Sequence, residues 1–124
     1  MALVWLVVLA ICLHMIYLMA MVGKARGTYE VKAPATTGNE MFERHYRVHM
    51  NAVEQSVLIF PLLAACASTG SPTIAAALGA VYLLGRILYS FAYVKDPTSR
   101  GKGMMLGFLA QIGLLVVSMV NLVF

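Results

Sequence analysis

The sequence predicts an all-α protein that crosses a lipid bilayer four times, and three observations predict it. Apolar residues make up 61% of the 124-residue chain and charged residues 11%, with a mean hydropathy of +0.84. A water-soluble domain of this size has too little interior to hide that much apolar surface. The apolar residues fall into four runs, each near the roughly 20 residues a helix needs to cross about 30 Å of hydrocarbon. The segments between the runs are short and carry most of the charge. Residues 1–124 are therefore read as one transmembrane four-helix bundle.

The first span covers residues 2–23 and is interrupted only by His14. No basic residue precedes it, and it is longer than the apolar core of an ordinary leader, so it reads as a permanent span rather than a cleaved signal. A polar segment follows at residues 24–39, with Gly27, Pro34 and Gly38 as turn formers. The second span covers residues 40–67, amphipathic at first and apolar from Ala52. Its Pro61 is expected to kink it, because proline removes a backbone donor and crowds the preceding turn. Residues 68–72, "STGSP", form an uncharged turn, and the third span covers residues 73–94. The second charged loop, "KDPTSRGKG", holds Pro97, which is suited to start a helix. The fourth span covers residues 104–124.

The loops set an expected orientation. Lys24, Arg26, Lys32, Arg44 and Arg47 cluster around the first loop, and Lys95, Arg100 and Lys102 occupy the third. The middle turn and both termini have no basic side chain. Basic loops stay in the cytoplasm, which places both termini outside. The short chain, without an extended tail, favours a bacterial inner membrane. The net charge of +4 sits beside apolar runs, where it reads as a topology signal and a membrane-surface contact rather than a nucleic-acid footprint. Cys12 and Cys66 lie inside apolar runs and read as buried thiols. His45 and His49 lack metal-site spacing with Cys or acidic partners, so no metal is expected. His14 is given no role, and Trp5 reads as an interface anchor.

Polar side chains inside spans are costly, about 2.5–3.5 kcal/mol for a charge at a helix centre, so their presence points to function. Arg47, Asn51 and Glu54 stand at i, i+4 and i+7 of the second span, on one helical face. Arg86, Tyr89 and Tyr93 stand at i, i+3 and i+7 of the third, and Arg100 precedes the fourth. All lie toward the expected cytoplasmic ends, where one polar pocket can collect them. Arginines grip carboxylates bidentately. A glutamate accepts from an ammonium group, an asparagine serves amides, and phenols donate. A ligand with two carboxylates, an amine and peptide amides matches this set, and glutathione is such a molecule. Each residue also has a plainer reading. Arg47 can be a snorkelling interfacial arginine, Glu54 its ion-pair partner, the tyrosines belt aromatics and Arg100 a topology charge. Arg86 is favoured as structural.

"FERHYRVHMNAVEQSVLIFPLL" (42–63), "KARGTYEVKAPATTGNEMFER" (24–44) and "GRILYSFAYVKDPTSRG" (85–101) resemble the membrane-associated proteins in eicosanoid and glutathione metabolism, the MAPEG family. The resemblance covers nearly the whole chain. It implies a homotrimer with glutathione between neighbouring protomers near the cytoplasmic face. It further implies glutathione contacts from Arg47, Asn51 and Glu54, from Tyr89 and Tyr93, and from Arg26 reaching a neighbour's ligand. His49 stands at a position where one branch of the family carries a histidine, and it joins that set. Arg100 matches the arginine that activates the thiol. The implied activity is a glutathione transferase or peroxidase acting on a hydrophobic electrophile or lipid hydroperoxide that enters from the bilayer. Gln55, Met50 and Gly101 depart from family residues, which leaves the individual eicosanoid reaction open. Two alternatives stand beside this reading. One is a non-catalytic, lipid-binding family member. The other is a small four-helix exporter, whose usual acid in the first span is absent here.

Overall fold

The computed structural model describes all 124 residues as α1 (Ala2–Tyr29), α2 (Glu40–Ser68), α3 (Pro72–Lys95) and α4 (Gly101–Val123), with a 3-10 turn at Pro97–Ser99. At 1.5 Å per residue these helices are about 34–44 Å long, enough to span the hydrocarbon with a turn or two outside it. Of 99 backbone hydrogen bonds, 87 lie within the helices, as a solvent without donors or acceptors demands. All four helices are long and apolar enough to cross a membrane.

The side chains agree. Core residues are few, whereas large apolar side chains are freely exposed, Leu13 by 68%. α1 is apolar on every side and buries only Val4, Ile11, Leu18, Val22 and Ala25. A helix that is hydrophobic all round and yet largely uncovered belongs in lipid.

Where the helices begin and end follows local chemistry. The apolar run predicts an end to α1 at residue 23, but the helix continues through Lys24, Ala25 and Arg26, all good helix formers. It ends where Glu30 turns left-handed at φ 56° and its N–H reaches back to the Arg26 carbonyl. The first loop is therefore only residues 30–39. Asn39 caps α2, its Oδ1 accepting from the Phe42 N–H at 3.0 Å, with Glu40 and Glu43 in the favourable first turn. α2 continues as helix through Pro61. Pro72 opens α3. Pro97 opens the 3-10 turn that feeds α4, which starts at Gly101 rather than 104. At the other end of the bundle, Asn121 donates to Thr69 at 3.2 Å and Ser71 at 2.9 Å, fastening α4 to the α2–α3 turn.

Packing is in two parts. Toward the termini, Val4, Ile11, Ile59, Leu63, Cys66, Tyr82 and Leu114 build the main core from all four helices. Toward the two basic loops, the basic end, Leu18, Val48, Ala52 and Tyr89 join α1, α2 and α3. The closest approach is between α3 and α4, where the backbones touch. A Cβ on Gly85 would sit 2.8 Å from the Gly103 carbonyl oxygen and the Gly107 nitrogen, and one on Gly103 would sit 2.6 Å from the Gly85 oxygen. Small residues spaced by four let helices meet in this way within lipid.

This crossing is testable. Gly103→Ala should destabilise the protein by about 1–3 kcal/mol, because the new methyl meets backbone that cannot yield. Gly27→Ala, in a helical position with nothing within 4 Å, should stabilise it by about 0.5–1 kcal/mol. Thermal unfolding of the two variants in detergent decides the matter: equal melting temperatures would refute the close crossing.

Candidate functional site

The polar side chains of α2 and α3 separate into two connected groups at the basic end. The first is an ion pair. Arg47 donates to Glu54 across two turns of α2 at 2.9 Å, and the two side chains are 48% and 53% exposed. At 100° per residue, positions 47 and 54 differ by only 20° around the helix, so two long side chains can meet along its outer edge.

The second group is buried. Asn51 lies about 60° from Glu54 around the helix, far enough to face α3. Asn51 and Arg86 are each only 5% exposed. Arg86 Nη2 donates to Asn51 Oδ1 at 2.6 Å. The guanidinium lies over the Tyr89 ring, 4.4 Å from its centroid. Tyr89 in turn packs on Tyr93 with ring centroids 5.6 Å apart. Arg86 Nε is buried with no partner. The chain's two ion pairs, Arg44–Glu40 and Arg47–Glu54, leave Arg86 without a carboxylate. A charge at this depth costs about 2.5–3.5 kcal/mol. A hydrogen bond to a charged group returns about 1.5–3 kcal/mol, and the ring adds about 0.5–2 kcal/mol. The arrangement roughly balances, provided Asn51 stays in place.

The remaining expected site residues lie apart from these groups. Arg26, at the end of α1, donates to the Ala35 carbonyl at 2.7 Å and stacks over Phe42 at 4.8 Å, so it ties down its own loop. His49 is half-buried and makes no hydrogen bond with Arg47, Asn51 or Glu54. Arg100 caps the turn before α4 and donates to the Pro97 carbonyl at 3.0 Å. A cavity of about 370 Å³ at the basic end joins Arg44, Arg47, Tyr93 and Pro97, and so brings the Arg47 face beside the turn that presents Arg100. One protomer thus brings Arg47 and Tyr93 to one cavity, with Glu54 paired to Arg47 outside its lining, and joins Asn51, Arg86 and Tyr89 in a separate buried group. It leaves Arg26 and His49 outside.

Three features emerge only from the folded chain. Asp96 orders the Arg100 turn: its carboxylate accepts from the Thr98 hydroxyl at 2.9 Å and the Thr98 N–H at 3.1 Å. Those two bonds, the hydroxyl first, hold the Asp96 carboxyl below the usual carboxylate range. An Asp-Pro pair followed by Thr is the signal that announces such a turn. Arg44 donates to the Val94 and Lys95 carbonyls at 3.0 and 3.2 Å and so caps α3 from α2. Gln111 donates to Gln55 Oε1 at 2.8 Å across α4 and α2. A glutamine amid the apolar residues 104–117 of the fourth span marks that pair.

Comparison with known proteins adds to this geometry. The profile of the MAPEG family matches residues 3–120. An uncharacterized protein of Synechocystis is 43% identical over 122 residues, covering 97% of this chain and 89% of that one. Human microsomal glutathione S-transferase 2 is 38% identical over 101 residues, covering 80% of this chain and 69% of the human protein. Bovine leukotriene C4 synthase is 33% identical over 84 residues, covering 68% and 56% respectively.

Two outcomes test the geometry. Asn51→Ala should cost about 1.5–3 kcal/mol of stability by stranding a buried charge, measured as denaturant or thermal unfolding in detergent; an unchanged protein would show that Arg86 does not rely on Asn51. Asp96 has a depressed folded-state pKa, so its contribution is present above the unfolded value and is lost as pH falls through the folded one. Hydrogen exchange at the Thr98 amide should therefore lose protection on acidification below that point, and Asp96→Asn should weaken that protection at neutral pH.

Proposed function

This chain belongs to the MAPEG family, and we propose that it is a membrane-bound glutathione transferase, with peroxidase activity, that ionises the glutathione thiol for attack on a hydrophobic electrophile or lipid hydroperoxide. The observation that carries the reading is the cavity that joins Arg47 and Tyr93 to Pro97 of the turn preceding Arg100, with Glu54 paired to Arg47. A tripeptide with two carboxylates, an ammonium group and two amides meets arginines for its carboxylates there, a glutamate beside Arg47 for its ammonium group and the Tyr93 phenol as a donor. Relatives named glutathione S-transferase and leukotriene C4 synthase support the same class.

Arg26 and His49 lie outside the protomer's own cavity, which fits a ligand held between neighbouring copies. We take the working form to be a homotrimer in which these two residues meet the glutathione of the next protomer. The basic loops support a site at the cytoplasmic face with both termini outside. The Synechocystis relative suits a bacterial inner membrane.

Arg100 is the thiol-activating residue in this reading. A free thiol has a pKa of about 8.5, and lowering it by about two units takes roughly 2.7 kcal/mol of preferential stabilisation of the anion. The Arg100 guanidinium, held by a single hydrogen bond to its own turn, is free to exchange that bond for a thiolate. In conjugation the sulfur pair forms a carbon–sulfur bond as a leaving group departs or an epoxide opens. In peroxide reduction the thiolate takes the distal oxygen and releases an alkoxide, which is protonated. A second glutathione then converts the resulting sulfenic acid to disulfide and water. Glu54 is already satisfied by Arg47, which disfavours its use as the unpaired, proton-carrying acid of an exporter.

Conjugation of a chlorinated dinitrobenzene by the purified protein tests the class: no turnover and no saturable glutathione binding by calorimetry would end the reading. Arg100→Ala should lower turnover at pH 7 by about 25-fold, the loss of thiolate when a pKa of about 6.5 returns to about 8.5. Glutathione affinity should change much less, and turnover should recover as pH is raised. An unchanged rate would remove Arg100 from the mechanism.

A further inference from the structure

Another cavity at the basic end, of about 380 Å³, opens between α1, α2 and α3. Arg44, His45 and Lys95 line it together with Tyr17, Met21 and Phe91, and no acid does. Arg44 is paired with Glu40 and also holds the end of α3. Lys95 is exposed and has no ion-pair partner, because the chain's two ion pairs are Arg44–Glu40 and Arg47–Glu54. Its ammonium group offers three donors, and the Tyr17 phenol offers one more. Tyr17 and Met21 lie six and two residues before Gly23, where the apolar run of α1 stops. The cavity therefore sits about 3–9 Å inside the hydrocarbon edge, and Tyr17 and Phe91 are exposed to the bilayer.

An apolar recess of about 620 Å³ lies between α1 and α3 on the same side of the bundle. Ala80, Leu84 and Ile87 of the recess and Phe91 and Val94 of the cavity follow one another at steps of four, three, four and three residues, which is one stripe of α3. Leu3, Val7 and Ala10 of the recess and Tyr17 and Met21 of the cavity form the matching stripe on α1. The two hollows are one groove, end to end on the same two helices. Its apolar part runs from Ile87 back to Thr73, about 21 Å, which exceeds the roughly 15 Å of hydrocarbon in one leaflet.

We propose that this groove holds a resident anionic glycerophospholipid: an acyl chain lies along α1 and α3, and the head-group phosphate sits against Lys95 and Arg44 with the Tyr17 phenol donating to it. An apolar groove open to lipid is filled by lipid chains, because a void forfeits the dispersion contacts of its walls. The cations then select the head group. A zwitterionic lipid brings its own ammonium to the same place and gains less from them. Basic pockets between spans at the cytoplasmic side suit anionic head groups for this reason. A helix of another copy would fill the apolar length, but only an occupant with an anion at one end also answers Lys95. Arg47 and Arg100 line neither part of the groove, so this lipid is separate from both substrates of the proposed reaction.

The test is native mass spectrometry of the full-length protein in a non-ionic detergent, titrated with phosphatidylglycerol or with phosphatidylcholine of the same acyl chains. The wild type should bind its first phosphatidylglycerol at least about tenfold more tightly, since each basic residue at a lipid surface contributes about fivefold. Lys95→Gln should reduce that preference about fivefold and leave phosphatidylcholine binding as it was. Ala80→Phe, at an exposed position of α3, should fill the groove and weaken both lipids at least about threefold. Lys102→Gln removes a cation outside the groove and should change neither. Equal affinity of the wild type for the two lipids would overturn the proposal, as would a preference that survives Lys95→Gln in full. An equal loss in Lys102→Gln would assign the preference to diffuse surface charge and overturn it. Unchanged lipid binding in Ala80→Phe would overturn it too, leaving the groove to another copy of the chain. Millimolar inorganic phosphate and glutathione should each leave the lipid bound; displacement by either would reduce the site to one for soluble anions and overturn the proposal.

Discussion

The buried guanidinium of Arg86 sets the terms for the rest of this bundle. Lipid offers no hydrogen bonds, so every polar group at that depth must be met by another helix. Asn51 meets it from α2, the Tyr89 ring covers it from the next turn of α3, and Gly107 leaves room beside it on α4. Three helices are thereby fixed in rotation about one side chain. Once Asn51 faces inward, Arg47 and Glu54 are carried to the outer edge of α2, where they find each other. The cavity at the basic end is a consequence of that rotation.

The α3–α4 crossing is the complementary constraint. Gly85, Gly103 and Gly107 bring two backbones into contact, which shortens the path from Lys95 to Gly101 to one 3-10 turn. That turn is then rigid by composition: Pro97 fixes one dihedral, Asp96 caps Thr98, and Ser99 bonds back to the Ala92 carbonyl at 3.0 Å. Arg100 ends this turn, whose Pro97 shares a cavity with Tyr93 and Arg47. In the proposed mechanism, positioning is supplied by loop chemistry and charge by one exposed residue.

The four spans were legible in the sequence because apolar runs of membrane length are at home in hardly any solvent but lipid. The family was legible in Arg47-Asn51-Glu54 and the Arg86-Tyr89-Tyr93 series, whose spacing carries both helix and chemistry. Helix ends were less so. The sequence shows where hydrocarbon stops, and α1 outlasts it by a turn and a half because Lys24 to Tyr29 are as content in a helix in water as in lipid. The splitting of the polar face was also hidden. A spacing of i, i+4, i+7 places Arg47, Asn51 and Glu54 within roughly a 60° sector but cannot say where in that sector the neighbouring helix lies, and that boundary runs between Asn51 and Arg47. Gln55–Gln111 and Arg44–Val94 join positions far apart in the chain, and only the packed bundle brings them together.

The uncovered surface of α1 has a mechanical consequence. This helix is the longest apolar element relative to what it buries, so it has the least packing to resist reorientation. Hydrophobic mismatch is relieved by tilt, at fractions of a kcal/mol per Å. A thicker or thinner membrane therefore sets the angle of α1 before that of its neighbours, and with it the height at which Arg26 and its loop meet the water boundary. The composition of the surrounding lipid acts on this protein as a slow dial, turned from outside the bundle.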